Sequence, residues 1–226
     1  MARSYRALAA LLSYPTEELQ AAVEQIAAVL ADENIVLKPE RKAIQALLNE
    51  LTGSDIYAAQ ERYVSLFDRS RTLSLHLFEH IHGENRDRGQ AMADLIALYD
   101  SHGLEMTAGE LPDFLPLFLE FLSLLPDAEA RSMLAEPAGI LRTLTERLRK
   151  RNTPYAAVMG ALAALANAPP ADLAEEAVED PNDLVAMDAA WEEAAVRFGP
   201  GEAIDTCGVD RLRTRLRAAN RDAALA

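Results

Sequence analysis

The chain has 226 residues, half of them apolar, with 36 acidic against 22 basic side chains and a formal charge of −14. That apolar content excludes a disordered polyelectrolyte, and that charge opposes binding to duplex nucleic acid or an anionic membrane surface while favouring a basic partner. The length suits one buried core with or without an appendage, and the single cysteine, Cys207, leaves no intramolecular disulfide and no CxxC knuckle, as in a reducing compartment.

The chain opens with Arg3 and Arg6 around an apolar run, Ala7 to Leu12. It falls short of an export signal, because Ser13-Tyr14-Pro15 cuts it off and no small-x-small site follows. Thr16 is placed to cap a helix whose Leu19, Val23, Ile26 and Leu30 share a face. Pro39 opens the next, with Ile44, Leu47, Leu48 and Leu51 as its stripe and Gly53 as its stop. Ser54 is the expected cap of a third, carrying Ile56, Tyr63 and Phe67.

From Asn85 a helix is expected through Met92, Leu95, Ile96 and Tyr99, stopped by Gly103. Asp113 is the expected cap of Phe114–Leu125, with Pro116 in the tolerant first turn and Pro126 as the end. Ile140, Leu144 and Leu148 mark a helix ending in Arg147, Arg149, Lys150 and Arg151, where cations complement the dipole. Thr153-Pro154 begins another, through Val158, Met159, Leu162 and Leu165. No run of alternating β-branched residues and no internal repeat interrupts this pattern. The expected fold is an all-α bundle with short connections.

Composition shifts after Pro170. No Lys or Arg occurs from Asn152 to Val196, while Asp172, Glu175, Glu176, Glu179, Asp180, Asp183, Asp188, Glu192 and Glu193 accumulate. Gly199-Pro200-Gly201 breaks the chain, and a last expected helix carries Arg211, Arg213, Arg215 and Arg217. The division is therefore a helical domain over 1–170 and, over 171–226, a looser, partly disordered acidic segment with a basic end that either pairs with it or is separately solvated.

Chemistry concentrates between His76 and Gln90. His76-Leu77-Phe78-Glu79-His80 spells H-x-x-E-H, the inverted zinc-protease signature, and on a helix His76 and His80 would share a face. That reading makes Glu79 a general base and needs a third ligand such as Glu105, Glu110 or Glu120. The competing reading has these imidazoles hydrogen-bonded to backbone and carboxylates at a helix junction. With three lysines in the whole chain, and no P-loop, G-x-S-x-G elbow or strand-borne G-x-G-x-x-G, other enzyme classes find no signature.

Within Gly83-Glu84-Asn85-Arg86-Asp87-Arg88-Gly89-Gln90, Gly83 and Gly89 are the expected hinges, and Arg86 and Arg88 suit bidentate contacts to carboxylates. The segment Leu111 to Leu122 is apolar on nearly every face, so it is either central in the core or lines an apolar groove. Glu120 within it calls for a partner, with His80, Arg86 and Arg88 as candidates.

Arg62-Tyr63-Val64-Ser65-Leu66-Phe67-Asp68, the long block from Ser74 to Met92 and Glu110-Leu111-Pro112-Asp113-Phe114-Leu115-Pro116 resemble the NarJ-type assembly chaperones of respiratory nitrate reductase, within the broader TorD/DmsD-like group. Ala9 to Pro15 and Trp191-Glu192-Glu193…Phe198-Gly199 fit as well, so the likeness runs from about Leu8 to Gly199. Asn85 stands where the family pattern leads one to expect Ser, an exchange that keeps a small capping residue.

The resemblance implies a TorD-like helical domain that is not an enzyme and carries no cofactor of its own. It implies a cytoplasmic chaperone that binds the catalytic α subunit, including its N-terminal peptide. The apoenzyme is held competent for insertion of molybdenum cofactor and iron–sulfur cluster before membrane docking. Transient contact with cofactor-delivery proteins follows, without nucleic acid or stable membrane association. The block also favours nitrate reductase over a dimethyl sulfoxide or trimethylamine N-oxide reductase as client. On this reading the client-peptide surface comprises Tyr63, Phe67, His76, Phe78, Glu79, His80, His82, Glu84, Arg86, Asp87, Arg88, Phe114, Leu115, Phe118, Glu120 and Phe121.

Overall fold

The computed structural model describes residues 2–82, 87–106 and 109–167. The expected acidic segment, the basic end and the domain division at 170 therefore lie outside the described residues. Among those described, ten α-helices form the fold and the only β-type pairing is an isolated bridge.

Helix α1 (Arg3–Leu11) carries the opening apolar run into the core, burying Tyr5, Leu8, Ala9 and Leu11. Its own first turn has no acid, and the cap comes from elsewhere. The Glu33 carboxylate, at the end of α2 (Glu17–Glu33), accepts the backbone N–H of Arg3 at 2.8 Å and of Ser4 at 2.7 Å. A negative charge at a helix N-terminus satisfies both orphan donors and the dipole. Thr16 caps α2 as expected, accepting from Leu19 N–H at 3.2 Å.

Pro39 lies in the first turn of α3 (Lys38–Gly53). The next cap is Asp55 rather than Ser54: its carboxylate accepts from Tyr57 N–H at 2.9 Å and starts α4 (Ile56–Tyr63). Ser54 instead closes α3, its N–H donating to Glu50 C=O. Both residues suit a cap, and tertiary placement chose the charged one.

Helix α4 runs directly into a π-helical turn, Val64–Asp68, closed by Arg69 N–H on Val64 C=O at 3.1 Å. A 3-10 turn follows, Arg71–Leu73, then a bend at Leu75, the bridge residue His76 and a turn at Leu77–Phe78 that leads into the next helix. The helix through His76 that the zinc reading requires does not form. Helix α5 is a single turn, Glu79–His82, and His76 lies outside it.

Helix α6 (Asp87–Ser101) buries Ala91, Leu95, Leu98 and Tyr99, while Ile96, assigned to the stripe from sequence, is exposed. Gly103 ends it at φ 75°. Helix α7 (Leu115–Leu124) is central and packs on α1, burying Leu115, Phe118, Leu119, Phe121 and Leu122. Pro116 sits in its first turn, but Asp113 does not cap it; that carboxylate faces a different partner. Helix α8 (Asp127–Leu134), unread from sequence, is a short element with Asp127 and Glu129 in its first turn. Helices α9 (Ala138–Lys150) and α10 (Tyr155–Leu165) pack together, with α10 also against α3. No helix among the described residues is long and apolar enough to cross a membrane.

Gly89 sits in the first turn of α6, in helical backbone with open space where a Cβ would go. Of the two expected hinge glycines, then, only Gly83 falls between α5 and α6, outside the described residues. Gly89→Ala is expected to stabilise the fold by about 0.5–1 kcal/mol, because alanine loses less backbone entropy in a helix. A higher urea midpoint with unchanged slope is the measurement; a lower midpoint would mean that the position needs glycine for another reason.

Candidate functional site

The block read as chemistry-bearing is built around one buried carboxylate. Asp113 is fully buried, and its Oδ2 accepts the backbone N–H of Phe78 at 3.0 Å while Oδ1 accepts from His76 Nδ1 at 3.2 Å. Backbone pairing reinforces the tie. Leu77 N–H donates to Asp113 C=O at 3.0 Å and Leu115 N–H to Leu75 C=O at 2.9 Å, an antiparallel bridge centred on His76 and Phe114. Tyr99 O–H from α6 donates to Pro112 C=O at 2.8 Å. An ionised carboxylate in the interior needs such donors, and charge-assisted bonds of this kind are the strong ones.

The two imidazoles of H-x-x-E-H point to different duties. His76 stacks against Phe114, with ring centroids 5.3 Å apart, and its hydrogen bond to Asp113 holds its pKa above the ordinary imidazole value, against the opposing effect of burial. His80 donates from Nε2 to Ser74 C=O at 2.8 Å, and burial lowers its pKa. Glu79 pairs with Arg88 at 3.4 Å. The helical premise of the zinc reading therefore fails, and among the described residues no three of His, Cys, Asp and Glu converge as a metal site. The junction reading describes these side chains.

Beside this junction lies a cleft of about 650 Å³. One part of the lining comes from the end of α4 and the π-helical turn, which bring Tyr63 and Asp68 to the cavity, with Tyr14 adjoining. Another part is His76, Phe114 and the start of α7 with Pro116, Leu117 and Glu120. Tyr99, Leu104 and Met106 complete the apolar lining, and Glu105 and Glu110 join Asp68 and Glu120 as acids. Among the described residues, His76 is the one potentially cationic side chain in the lining. Burial raises the Asp68 pKa, with His76 pulling it back. Tyr63 is fixed by its O–H on Leu12 C=O at 2.9 Å and by rings on three sides, Tyr14, Phe67 and Tyr155.

Of the residues singled out from sequence, Tyr63, His76, Phe114 and Glu120 meet in this cleft, together with Glu105 and Glu110, named as alternative third ligands of the zinc reading. Glu79, His80 and Arg88 brace the junction behind it. Phe67, Phe78, Leu115, Phe118 and Phe121 are buried core residues outside the cleft lining, so as a directly accessible groove they are corrected. Residues 83–86, with Glu84 and Arg86, and the side chains of His82 and Asp87 lie outside the described residues. Glu120 is exposed and forms no ion pair with His80 or Arg88, whose partners are Ser74 and Glu79. Sequence reasoning passed over Tyr14, Asp68, Leu104, Met106 and Leu117 as site residues. Asp68 closes the Arg62–Asp68 motif, but only the π-helical turn puts it in the cleft.

A family model described as the nitrate reductase delta subunit matches residues 15–160. The chain belongs to the nitrate reductase delta subunit family. The match takes in all of the cleft lining except Ser13 and Tyr14. The chain is 46% identical over 193 residues to the nitrate reductase molybdenum cofactor assembly chaperone NarJ of Escherichia coli K12, covering 83% of this chain and 81% of that protein. It is 39% identical over 195 residues to the probable nitrate reductase molybdenum cofactor assembly chaperone NarW of the same strain, covering 83% and 80%. Against the probable chaperone NarJ of Bacillus subtilis 168 it is 32% identical over 180 residues, covering 78% and 95%.

Two predictions test the junction. Asp113→Ala leaves the Phe78 N–H without its acceptor and is expected to cost about 2–3 kcal/mol in urea unfolding, with Asp113→Asn recovering part of it. An alanine variant as stable as the parent would refute the clamp. The histidines give opposite pH dependence. The raised His76 pKa contributes stability that is full below about pH 6.5 and is lost as pH rises through the folded value. The lowered His80 pKa contributes stability that is full above about pH 6.5 and is lost as pH falls through its folded value. Thermal melts should therefore show His76→Gln losing most relative to the parent in acid, and His80→Gln losing most at neutral pH and above.

Proposed function

We propose that this chain is a dedicated maturation chaperone for a respiratory nitrate reductase. It binds the apo catalytic α subunit, including its N-terminal peptide, and keeps that subunit competent for molybdenum cofactor and iron–sulfur insertion before membrane docking. The work is done in the cytoplasm, with transient contact to cofactor-delivery proteins and no cofactor of the chaperone's own. The carrying observation is the cleft, an apolar and aromatic lining edged by four carboxylates, in a chain similar to proteins named as nitrate reductase molybdenum cofactor assembly chaperones.

The chemistry of such a cleft suits one class of occupant, an amphipathic segment with apolar anchors flanked by Lys or Arg. Anchors at i and i+3 or i+4 would seat against Tyr63, Phe114 and Leu117, and Met106 adds a side chain that repacks readily around different anchors. The acids at Asp68, Glu105, Glu110 and Glu120 steer a cationic segment toward the opening and fix its orientation. Holding a client in one conformation needs differential binding only, with no bond made or broken.

Titration calorimetry with a synthetic N-terminal peptide of the catalytic subunit should register binding. Glu120→Lys, at an exposed position, should weaken it about tenfold, or about 1.4 kcal/mol, and steepen no melting curve. No heat with the folded protein, or binding indifferent to Glu120→Lys and to Leu117→Asp in a variant of unchanged circular dichroism, would sink the assignment of the cleft. Affinity capture from nitrate-respiring cells that returns a different molybdoenzyme would reassign the client.

A further inference from the structure

The cleft carries charge of one sign, and the chain itself contains a stretch of the opposite sign. Four carboxylates edge the cavity, with His76 as the one potentially cationic group in the lining among the described residues. Val209-Asp210-Arg211-Leu212-Arg213-Thr214-Arg215-Leu216-Arg217 alternates four arginines with two leucines spaced four apart. That spacing puts Leu212 and Leu216 on one face in a helical register, with arginines on either side. Its pattern is that of the occupant argued above: two apolar anchors flanked by cations.

We propose that residues 209–217 dock in the cleft of their own chain, as an internal stand-in that a client peptide must displace. This rests on reading the cleft as a peptide site. Leu212 and Leu216 would take the apolar lining at Tyr63, Phe114 and Leu117, and the arginines would face Asp68, Glu110 and Glu120. The acids between Asp172 and Glu193 could neutralise the same arginines, but the cleft offers charge and a preformed apolar lining together.

Reach imposes no obstacle. The described structure ends at Asn167, and the residues from there to Val209 can extend to about 135 Å at ~3.3 Å each, beyond the width of a domain this size. Tethering presents the stretch to the cleft at about millimolar effective concentration, so even a weak intrinsic affinity of about 0.1 mM would lower the apparent affinity of a competing peptide about tenfold. An unladen chaperone is thereby kept from binding other basic amphipathic segments, and only a client peptide with more or better anchors displaces the stand-in.

The test uses the full chain and a fluorescent synthetic peptide of residues 209–221 added in trans, read by anisotropy. The quadruple variant R211Q/R213Q/R215Q/R217Q should bind this probe about tenfold more tightly than the parent, because its cleft is vacated. Adding Asp68→Lys and Glu120→Lys to the quadruple variant should remove most of that binding. In parallel, Leu216→p-benzoylphenylalanine in the otherwise unchanged chain should photo-crosslink within one molecule to the cleft segments around Tyr63 and Leu117. Equal probe affinity for parent and quadruple variant, crosslinks falling on residues 172–193, or crosslinks joining two molecules would each overturn the proposal. If the catalytic-subunit peptide binds parent and quadruple variant equally and the probe binds neither, only the internal docking falls; if neither peptide binds either protein, the peptide reading of the cleft falls with it.

Discussion

The junction depends on the Asp113 carboxylate. A fully buried charge is costly unless donors surround it, and here the donors come from chain 35 and 37 residues earlier, the Phe78 N–H and the His76 ring. That requirement draws the chain before α5 against the chain before α7 and creates the short bridge between them. The bridge in turn sets two cleft residues side by side, His76 and Phe114, and fixes where α7 begins. Tyr99 anchors the same loop from α6 through Pro112. The carboxylate thus joins two parts of the chain, and the Tyr99 hydroxyl adds a third.

The other wall has a different origin. Tyr63 sits where α4 passes into the π-helical turn, and its ring is held edge-on by Tyr14 and tilted against Phe67, with Tyr155 of α10 beyond. Aromatic groups packed this way add to burial through ring–ring contact. The hydroxyl on Leu12 C=O ties the same residue to the end of α1, so α1, α4 and α10 meet at one side chain. The extra residue in the following turn then directs Asp68 to the cavity, and π-helical turns are frequently found at functional sites. An acid on an aromatic wall is an unfavourable place for a charge, as its raised pKa reflects, and a cationic occupant would relieve that cost.

A chaperone works by holding, so its site needs shape, apolar surface and charge rather than reactive groups. The His- and Glu-rich block fits that requirement once its contacts are known. Its imidazoles and carboxylates brace a turn, His80 on Ser74, Arg88 on Glu79 and His76 on Asp113, and the cleft lies next to them. A cleft with four acids favours basic over acidic occupants. The specificity of such a site then rests on how well anchors fit the lining between Tyr63 and Leu117, with charge supplying encounter and orientation.

Local chemistry determined the helices. The apolar spacing of Val23, Ile26 and Leu30, the Thr16 cap, Pro39 in a first turn and Gly103 after a last one are signals within a few residues, and each appears in the structure as expected. The motif block and the apolar segment after it also carried the likeness to the family to which the chain belongs. What each of those side chains does was decided by contacts across the chain. An Asp just before an apolar helix reads as its cap, and H-x-x-E-H reads as a metal-binding helix, because both readings use only neighbours in sequence. In the folded protein Asp113 serves Phe78 and His76 instead, and Phe118 and Phe121, apolar enough for a groove, are buried in the core. A buried carboxylate takes whichever donors the packed chain brings to it, and that choice exists only once the helices have met.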